Sequence, residues 1–283
     1  MKAIEAAIAE RTGKRPKRLA PLSGGSIAPV YRVDLEGGER LVAKLGGEES
    51  GLALEGRMLR YLSEKSRLPV PIVLHADDRL LLMSYVESEG PITASAEEDA
   101  AELLADLHNI RAECFGFEEA TLIGGLSQPN PPTASWRDFF RDQRLCHMAG
   151  EAAGAGRLPK ALLGRIEKLA GRLHEWIGEE SPPSLIHGDL WGGNVLARSG
   201  RIAAFVDPAI YYADPEIELA FSTLFSTFGE AFFRRYGEIR GLRDGFWEER
   251  CELYNLYPLL VHVRLFGGGY VGSVERTLTR FGV

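Results

Sequence analysis

A polar segment in the second half of the chain, followed by two short apolar runs, is compatible with few folds. The segment is His187-Gly188-Asp189-Leu190-Trp191-Gly192-Gly193-Asn194. The apolar runs NVLA and IAAFVD come next, joined by a turn at Ser199-Gly200, which predicts a β-hairpin. This hairpin ends at Asp207. The sequence therefore predicts two carboxylates and an amide that converge at one end of a hairpin.

These three side chains are those that phosphoryl transfer requires. A carboxylate must orient the attacking hydroxyl and accept its proton, and oxygen ligands must hold magnesium against the phosphates. Asp189 and Asn194 are five residues apart, as in the kinase catalytic loop H-R-D-x-x-x-x-N, and Asp207 follows thirteen residues later. We therefore predict that Asp189 is the catalytic base and that Asn194 and Asp207 bind magnesium. The alternative, a polar loop before an unrelated turn, does not explain the agreement of spacing and hairpin.

A lysine and a glutamate in the first part of the chain fit the same chemistry. Lys44 ends the run Leu41-Val42-Ala43-Lys44, and Glu55 lies eleven residues later on a helix predicted over 50–65. A strand lysine can reach the α- and β-phosphates of a nucleotide, and a helix glutamate can hold it there through an ion pair. In isolation such residues are usually only solvated, so this prediction depends on the motif at 187–194.

Two further segments are predicted to contact the nucleotide. Glycines in Gly24-Gly25-Ser26 would allow backbone amides to approach phosphate oxygens, although a simple β-turn has the same sequence features. Met83-Ser84-Tyr85-Val86 follows an apolar run and is predicted to be the hinge between two lobes, with its backbone available to an adenine ring. A plain strand end would look the same.

The distribution of predicted elements favours an α+β, protein-kinase-like two-lobed fold. Residues 1–86 contain strand patterns, a hairpin turn at Gly37-Gly38, another turn at Asp77-Asp78 and one helix, which predicts a small β-rich N-terminal lobe that binds the nucleotide. Residues 87–283 are mainly helical, with the hairpin of the polar motif inside them, and form the predicted catalytic and substrate-binding lobe.

Local signals place elements within the second lobe. Ser95-Ala96-Glu97-Glu98 predicts a helix start with a capping box, and Ser135-Trp136-Arg137-Asp138 repeats the start signal. Further helices are predicted over 159–178 and 245–265. Loop-like residues concentrate at 116–135 and 149–158. His108 and His187 are predicted to be structural.

Composition excludes several classes of function. The net charge of -7 disfavours binding to nucleic acid or to an anionic membrane, because both need clustered cations. No apolar run has the length of a bilayer span. The three cysteines are widely separated, which fits reduced thiols in the cytoplasm better than disulfides or a zinc site.

The segment 187–194 is similar to the HGDLWxGN motif of the fructosamine kinases, also called ketosamine-3-kinases. The wider group, with aminoglycoside phosphotransferases and choline kinases, shares the aspartate and the asparagine, whereas Trp191 indicates the fructosamine-kinase branch. The resemblance covers nearly the whole chain and includes 22–33, 123–130, 207–214 and 253–267.

This resemblance implies that ATP, with Mg²⁺, phosphorylates the 3-hydroxyl of a ketoamine, an Amadori-rearranged adduct of a sugar and an amine. In the family the 3-phosphate decomposes and frees the amine, so the reaction repairs glycation. A small ketoamine or glycated amine is the implied partner, with glycated protein as a further one. Trp191 would lie beside the sugar and His262 on a helix that lines the acceptor pocket. For Trp191 the alternative is ordinary core packing.

Two alternatives to a ketoamine kinase stay open at the level of sequence. The nearest is another hydroxyl kinase of the same fold, acting on an aminoglycoside, a choline-like amine or a free sugar. The second is a nucleotide-binding regulatory protein without catalysis, which is disfavoured because all the expected polar residues are present.

Overall fold

The computed structural model describes residues 2–22, 28–178 and 181–283, and the N-terminal lobe is built on one sheet. Its elements are α1 (Lys2–Thr12), β1 (Pro16–Pro21), β2 (Val30–Leu35), β3 (Arg40–Leu45), α2 (Leu52–Lys65), β4 (Val73–Ala76) and β5 (Leu80–Ser84). The strands are antiparallel and lie in the order β1-β2-β3-β5-β4. The predicted turns at Gly37-Gly38 and Asp77-Asp78 join β2 to β3 and β4 to β5, as expected.

Helix α2 packs closely on this sheet because its inner face is apolar and includes a glycine. Leu52, Leu59 and Leu62 are buried, as the predicted helical face requires. A Cβ at Gly56 would lie 2.3 Å from the Cβ of Ala76 in β4, so the glycine permits the close approach. This packing places Glu55, on the same helix, beside the end of β3.

The C-terminal lobe is mainly helical, and in its described residues there are three two-stranded sheets, which pair Thr121–Ile123 with Leu126–Gln128, Ser184–Ile186 with Tyr211–Ala213, and Val195–Arg198 with Arg201–Phe205. Its helices are α3 (Ala94–Leu107), α4 (Trp136–Phe139), α5 (His147–Gly154), α6 (Lys160–Ala170), α7 (Glu216–Leu224), α8 (Glu230–Arg240), α9 (Cys251–Phe266) and α10 (Gly269–Arg280). Its strands are β6 (Thr121–Ile123), β7 (Leu126–Gln128), β8 (Ser184–Ile186), β9 (Val195–Arg198), β10 (Arg201–Phe205) and β11 (Tyr211–Ala213). Two π-helical segments, Phe140–Cys146 and Phe246–Arg250, precede α5 and α9.

Helix α9 is the centre of the core of this lobe. It is apolar almost all round and packs against α5, α7 and α10. Across the described residues, no helix combines the length and the apolar character that spanning a bilayer requires.

Four local predictions were wrong, each because a tertiary contact decided the outcome. Residues 1–86 contain two helices rather than one, because Lys2–Thr12 also forms a helix, whose Ile8 is buried in a cluster with Val33 and Leu41 of the sheet. Helix α3 begins one residue before Ser95, and its N-cap is Thr93, whose Oγ1 accepts from the Ala96 amide. Glu97 instead accepts from the backbone amide of Phe232 in α8. The predicted loop 149–158 is helical as far as Gly154, since its small residues pack against α9. The predicted loop 116–135 contains the β6–β7 hairpin. The Ser135 cap was confirmed.

Candidate active site

The loop after β8 carries Asp189, and a single 3₁₀ turn, Gly192–Asn194, brings Asn194 back to it. The Nδ2 of Asn194 donates to both the backbone oxygen and the Oδ2 of Asp189, each at 2.9 Å. These two bonds use both amide hydrogens and orient the Asp189 carboxylate. They leave the Oδ1 of Asn194 for a cation.

The β9–β10 hairpin returns the chain so that Asp207 joins this pair. The Val206 amide donates to the Asn194 oxygen at 3.0 Å, and Asp207 follows with φ 55. A left-handed backbone is unusual for a residue other than glycine, and it turns the chain sharply here. Asp189, Asn194 and Asp207 therefore line one cavity, as the sequence predicted.

Lys44 enters the same cavity from the opposite lobe. Its Nζ lies 2.7 Å from Glu55 Oε1 and also contacts the carboxylate of Asp207. Only 7% of Lys44 is exposed, so a single buried ammonium is shared between two carboxylates from different lobes. The predicted Lys44–Glu55 ion pair is present.

Burial shifts the pKa values of these groups. It raises the pKa of Asp189 to about 7, against the hydrogen bond from Asn194, which lowers it. Burial also raises the pKa of Glu55 to about 7, although Lys44 opposes the change. The pKa of Lys44 is raised because the two carboxylates outweigh its burial. Lys44 therefore stays protonated at neutral pH.

The oxygen donors of the site fit a hard divalent cation. Asp207 offers a carboxylate and Asn194 an amide oxygen, and magnesium typically takes one or two protein oxygens beside phosphates and waters. Within the described parts of the chain there is no cluster of three His, Cys, Asp or Glu side chains that could hold a metal alone. The set therefore suits a metal that arrives with a nucleotide.

A cavity of about 230 Å³ opens from Lys44 and Asp207 toward the strand that ends the N-terminal lobe. Its walls include all four residues predicted as the hinge, Met83, Ser84, Tyr85 and Val86. Val42 and Leu196 contribute apolar surface to its lining. The cavity has the position expected for a purine. The predicted loop Gly24-Gly25-Ser26 lies outside the described residues.

A third cavity, of about 660 Å³, opens beside Asp189 and has aromatic residues in its lining. Both predicted substrate-binding residues, Trp191 and His262, line it. Trp191 is 36% exposed and lies over Gly193, where an added Cβ would be 2.3 Å from its ring. Ordinary core packing of Trp191 is therefore excluded.

The other aromatic residues of the cavity that contains Trp191 and His262 were not predicted from the sequence. Phe225 lies 6.4 Å from Trp191 and 5.0 Å from His262, as ring centroids, and Tyr270 lies 4.9 Å from His262. These residues, with Phe266, belong to three different helical regions, the end of α7, α9 and α10. No local pattern connects them, which is why they were not found.

Glu218 on α7 was also not predicted from the sequence. Its carboxylate binds the backbone of the loop that carries Asp189. It is buried, and its carboxylate accepts from the amides of Gly188 at 2.8 Å and His187 at 3.3 Å. His108, buried too, lies 2.8 Å from the same carboxylate. The prediction that His108 and His187 are structural agrees with this arrangement.

The buried histidines make a contribution to stability that is lost in acid. Burial lowers the pKa of His108 and His187, so below about pH 6.5 the unfolded chain binds protons that the folded chain does not. The raised pKa values of Asp189 and Glu55 act with the opposite sign in the same range. The histidine contribution is therefore measured as a difference between the wild type and His108→Gln in urea unfolding at pH 7.5 and 5.5. On acidification to pH 5.5 the free energy of unfolding should change by about 1.4 kcal/mol more unfavourably in the wild type than in His108→Gln. An equal change in the two proteins would contradict this.

Comparison with known proteins agrees with this geometry. The sequence profile of the fructosamine kinase family matches residues 1–281. A probable ketoamine kinase from Synechocystis is 31% identical over 96% of this chain and 93% of its own. The crystal structure of a candidate fructosamine-3-kinase from Thermobifida fusca superposes with a TM-score of 0.87, at 33% identity over 99% of both chains.

The fold is shared more widely. An ADP-bound aminoglycoside phosphotransferase superposes with a TM-score of 0.68 at 17% identity, over 98% of this chain and 96% of its own. That similarity concerns the fold alone and confirms the kinase-like architecture predicted from the sequence. The match to the family profile covers residues 1–281, and the probable ketoamine kinase is 31% identical over 96% of this chain. Together these two findings show that the chain belongs to the fructosamine kinase family.

Proposed function

We propose that this protein is an ATP- and magnesium-dependent kinase that phosphorylates the 3-hydroxyl of a ketoamine. The observation that carries the proposal is the position of Asp189, which lines both the cavity that holds Lys44, Asn194 and Asp207 and the aromatic cavity beyond it. A substrate hydroxyl in the aromatic cavity would therefore lie next to Asp189, and a phosphate next to Lys44 would lie in the adjoining cavity. The membership of the fructosamine kinase family supports a ketoamine as the acceptor.

Each residue of the site has a part in this mechanism. Lys44, held by Glu55, neutralises the phosphates. Asn194 and Asp207 would hold magnesium, which would supply positive charge beside the phosphates. Asp189 orients the sugar hydroxyl and accepts its proton. Catalysis then depends mainly on positioning and on charge stabilisation.

The nucleotide would enter through the cleft between the lobes, whose boundary we place at residues 86 and 87. The backbone of Met83-Ser84-Tyr85-Val86 would face the adenine. We place the reaction in the cytoplasm, where ATP is abundant and where Cys114, Cys146 and Cys251 would stay as free thiols. The phosphorylated ketoamine would decompose and release the amine, so the activity would repair glycation.

The aromatic cavity suits the acceptor. The face of Trp191 can cover the C–H groups of a sugar and attract the protonated amine that a ketoamine carries. The cavity is open to solvent at Phe266, which is 59% exposed, so an amine with a large substituent can extend outward. Glycated protein is therefore proposed as a substrate beside small ketoamines.

A panel of acceptors tests the proposal. Consumption of ATP is measured with a fructosyl-amine, a ribulosyl-amine, kanamycin and choline, and each product is analysed for the position of the phosphate. We expect turnover with the two ketoamines and a 3-phosphate product. Turnover only with kanamycin or choline would replace the proposal by the related kinase activities, and ATP binding without turnover would indicate a regulatory protein.

The substitution Trp191→Leu should raise the KM for the ketoamine about tenfold, because a stacked aromatic face contributes about 1–2 kcal/mol. The KM for ATP should change less than about twofold, since Trp191 does not line the cavity that contains the predicted hinge residues. Trp247→Leu is the matched control, because Trp247 is 49% exposed and lies outside both cavities. Equal effects of the two substitutions would remove Trp191 from the acceptor site.

A further inference from the structure

The β6–β7 hairpin of the C-terminal lobe lies directly against the start of helix α2 in the other lobe. A Cβ at Gly51 would be 2.1 Å from the Cδ1 of Leu122, so this side chain rests on the backbone that begins the helix. Gly51 also has φ 73, which a glycine adopts without strain. The amide of Glu55 donates to the Gly51 oxygen at 2.9 Å. Leu122 therefore lies against the residue whose backbone oxygen accepts from the Glu55 amide.

Two more contacts fasten the same helix to the region around the hairpin. The guanidinium of Arg57 makes a two-pronged ion pair with Glu119, with distances of 3.0 and 2.8 Å. One turn further along, the hydroxyls of Tyr61 and Tyr212 are 2.9 Å apart. Helix α2 is thus fixed to the C-terminal lobe at its start and along its length.

The other end of the hairpin is fastened to the segment that carries Asp207. The buried Gln128 donates through Nε2 to the oxygen of Ala209, two residues after Asp207, at 3.1 Å. Its Oε1 accepts from Tyr257 of α9 at 2.7 Å. Beyond the strand, the buried Arg144 donates to Asn130 Oδ1 at 2.6 Å and to the Pro129 oxygen at 2.8 Å.

These contacts form a closed ring around the cavity lined by Lys44, Asn194 and Asp207, which we call the nucleotide cavity. It runs from Asp207 through Lys44, Glu55, Gly51 and Leu122 into the hairpin, and returns through Gln128 and Ala209. The ion pairs of Lys44 with Glu55 and Asp207 join flexible side chains, so by themselves they would not fix the distance between the two lobes. The hairpin adds short backbone and side-chain contacts on the opposite side of the ring.

We propose that the β6–β7 hairpin is a positioning element that fixes Glu55, and with it Lys44, opposite Asp207 in the arrangement that binds MgATP. Leu122, Glu119 and Gln128 are its positioning residues. The helix with the glutamate is then held in place by the fold itself, without a modification or a partner protein. This inference rests on the proposed function for its kinetic consequence but not for its structural one.

The first variant is Leu122→Ala, and Ser127→Ala is its control, because Ser127 lies opposite Leu122 in the hairpin and is exposed. Removing the contact with Gly51 should raise the Kd for MgATP, measured by calorimetry, about tenfold. Amide hydrogen exchange over residues 52–58 should accelerate without nucleotide, while exchange in α3 stays unchanged. Ser127→Ala should change none of these.

The second variant is Glu119→Gln, which preserves the fold of the hairpin and does not line the nucleotide cavity. Its control is Glu118→Gln, the same change at the exposed neighbouring residue. Loss of a partly exposed ion pair should raise the Kd for MgATP about threefold and accelerate exchange over 52–58. The control should behave as the wild type.

Different outcomes separate this inference from the proposed function. Weaker MgATP binding by Leu122→Ala with unchanged exchange over 52–58 would mean that Leu122 only contacts the nucleotide, and would overturn the inference. Unchanged binding and exchange in both variants would also overturn it. Faster exchange and weaker binding, in a protein that phosphorylates no ketoamine, would support the hairpin's role and refute the proposed function.

Discussion

We expect the substitution Asp189→Asn to lower kcat by roughly a thousandfold, within the range that removal of a general base produces. The amide keeps the shape of the carboxylate and can still accept the hydrogen bond that Asn194 donates at 2.9 Å. It cannot take the proton of the sugar hydroxyl. The Kd for MgATP should change less than about twofold, because the proposed mechanism assigns the phosphates to Lys44 and the metal to Asn194 and Asp207.

Single-turnover kinetics and calorimetry measure these two quantities separately. Asp78→Asn, at an exposed turn whose side chain lines none of the cavities described above, is the control and should leave kcat unchanged. Retained turnover in Asp189→Asn would overturn the assignment of the base. A large loss of MgATP affinity would place Asp189 among the metal ligands instead.

The second large effect is expected for Lys44→Met, which removes the charge and nearly preserves the length of the side chain. Two carboxylates, Glu55 and Asp207, would then face each other without the ammonium between them. The phosphates would also lose their neutralising partner. We expect kcat/KM for ATP to fall at least about a hundredfold, as for other charge-stabilising groups in an active site.

The control for this substitution is Lys14→Met. Lys14 also forms an ion pair with a glutamate, Glu39, at 2.6 Å, but both side chains are about half exposed. Solvent screens such a pair, so kcat/KM should stay within about twofold of the wild type. If Lys44→Met and Lys14→Met behave alike, Lys44 has no part in nucleotide binding.

Much of the site could be predicted because its residues are close in sequence or follow regular elements. Asp189 and Asn194 share one loop, and five residues is the separation at which the Asn194 amide reaches back to the Asp189 carboxylate. Asp207 followed from the hairpin, since antiparallel strands return the chain to its starting end. Lys44 and Glu55 could not be predicted from local pattern alone. Only the analogy with other kinases related them to the motif at 187–194, more than a hundred residues away.

The remaining features were decided by contacts between distant segments, which leave no periodic pattern. Glu218 lies thirty residues after Gly188, yet its carboxylate accepts a hydrogen bond from the Gly188 amide, directly before Asp189. The N-cap at Thr93 displaced the expected box because Glu97 bonds to α8.

The sequence by itself determined which side chains the motif at 187–194 and the following hairpin bring together, the kinase-like division into a sheet lobe and a helical lobe, and the family. It did so because hydrogen-bond spacing and strand pairing are local constraints. Only the tertiary structure decided which aromatic rings form the acceptor wall and that the β6–β7 hairpin holds helix α2. Those arrangements depend on how whole helices pack, and packing joins residues by shape rather than by their order in the chain.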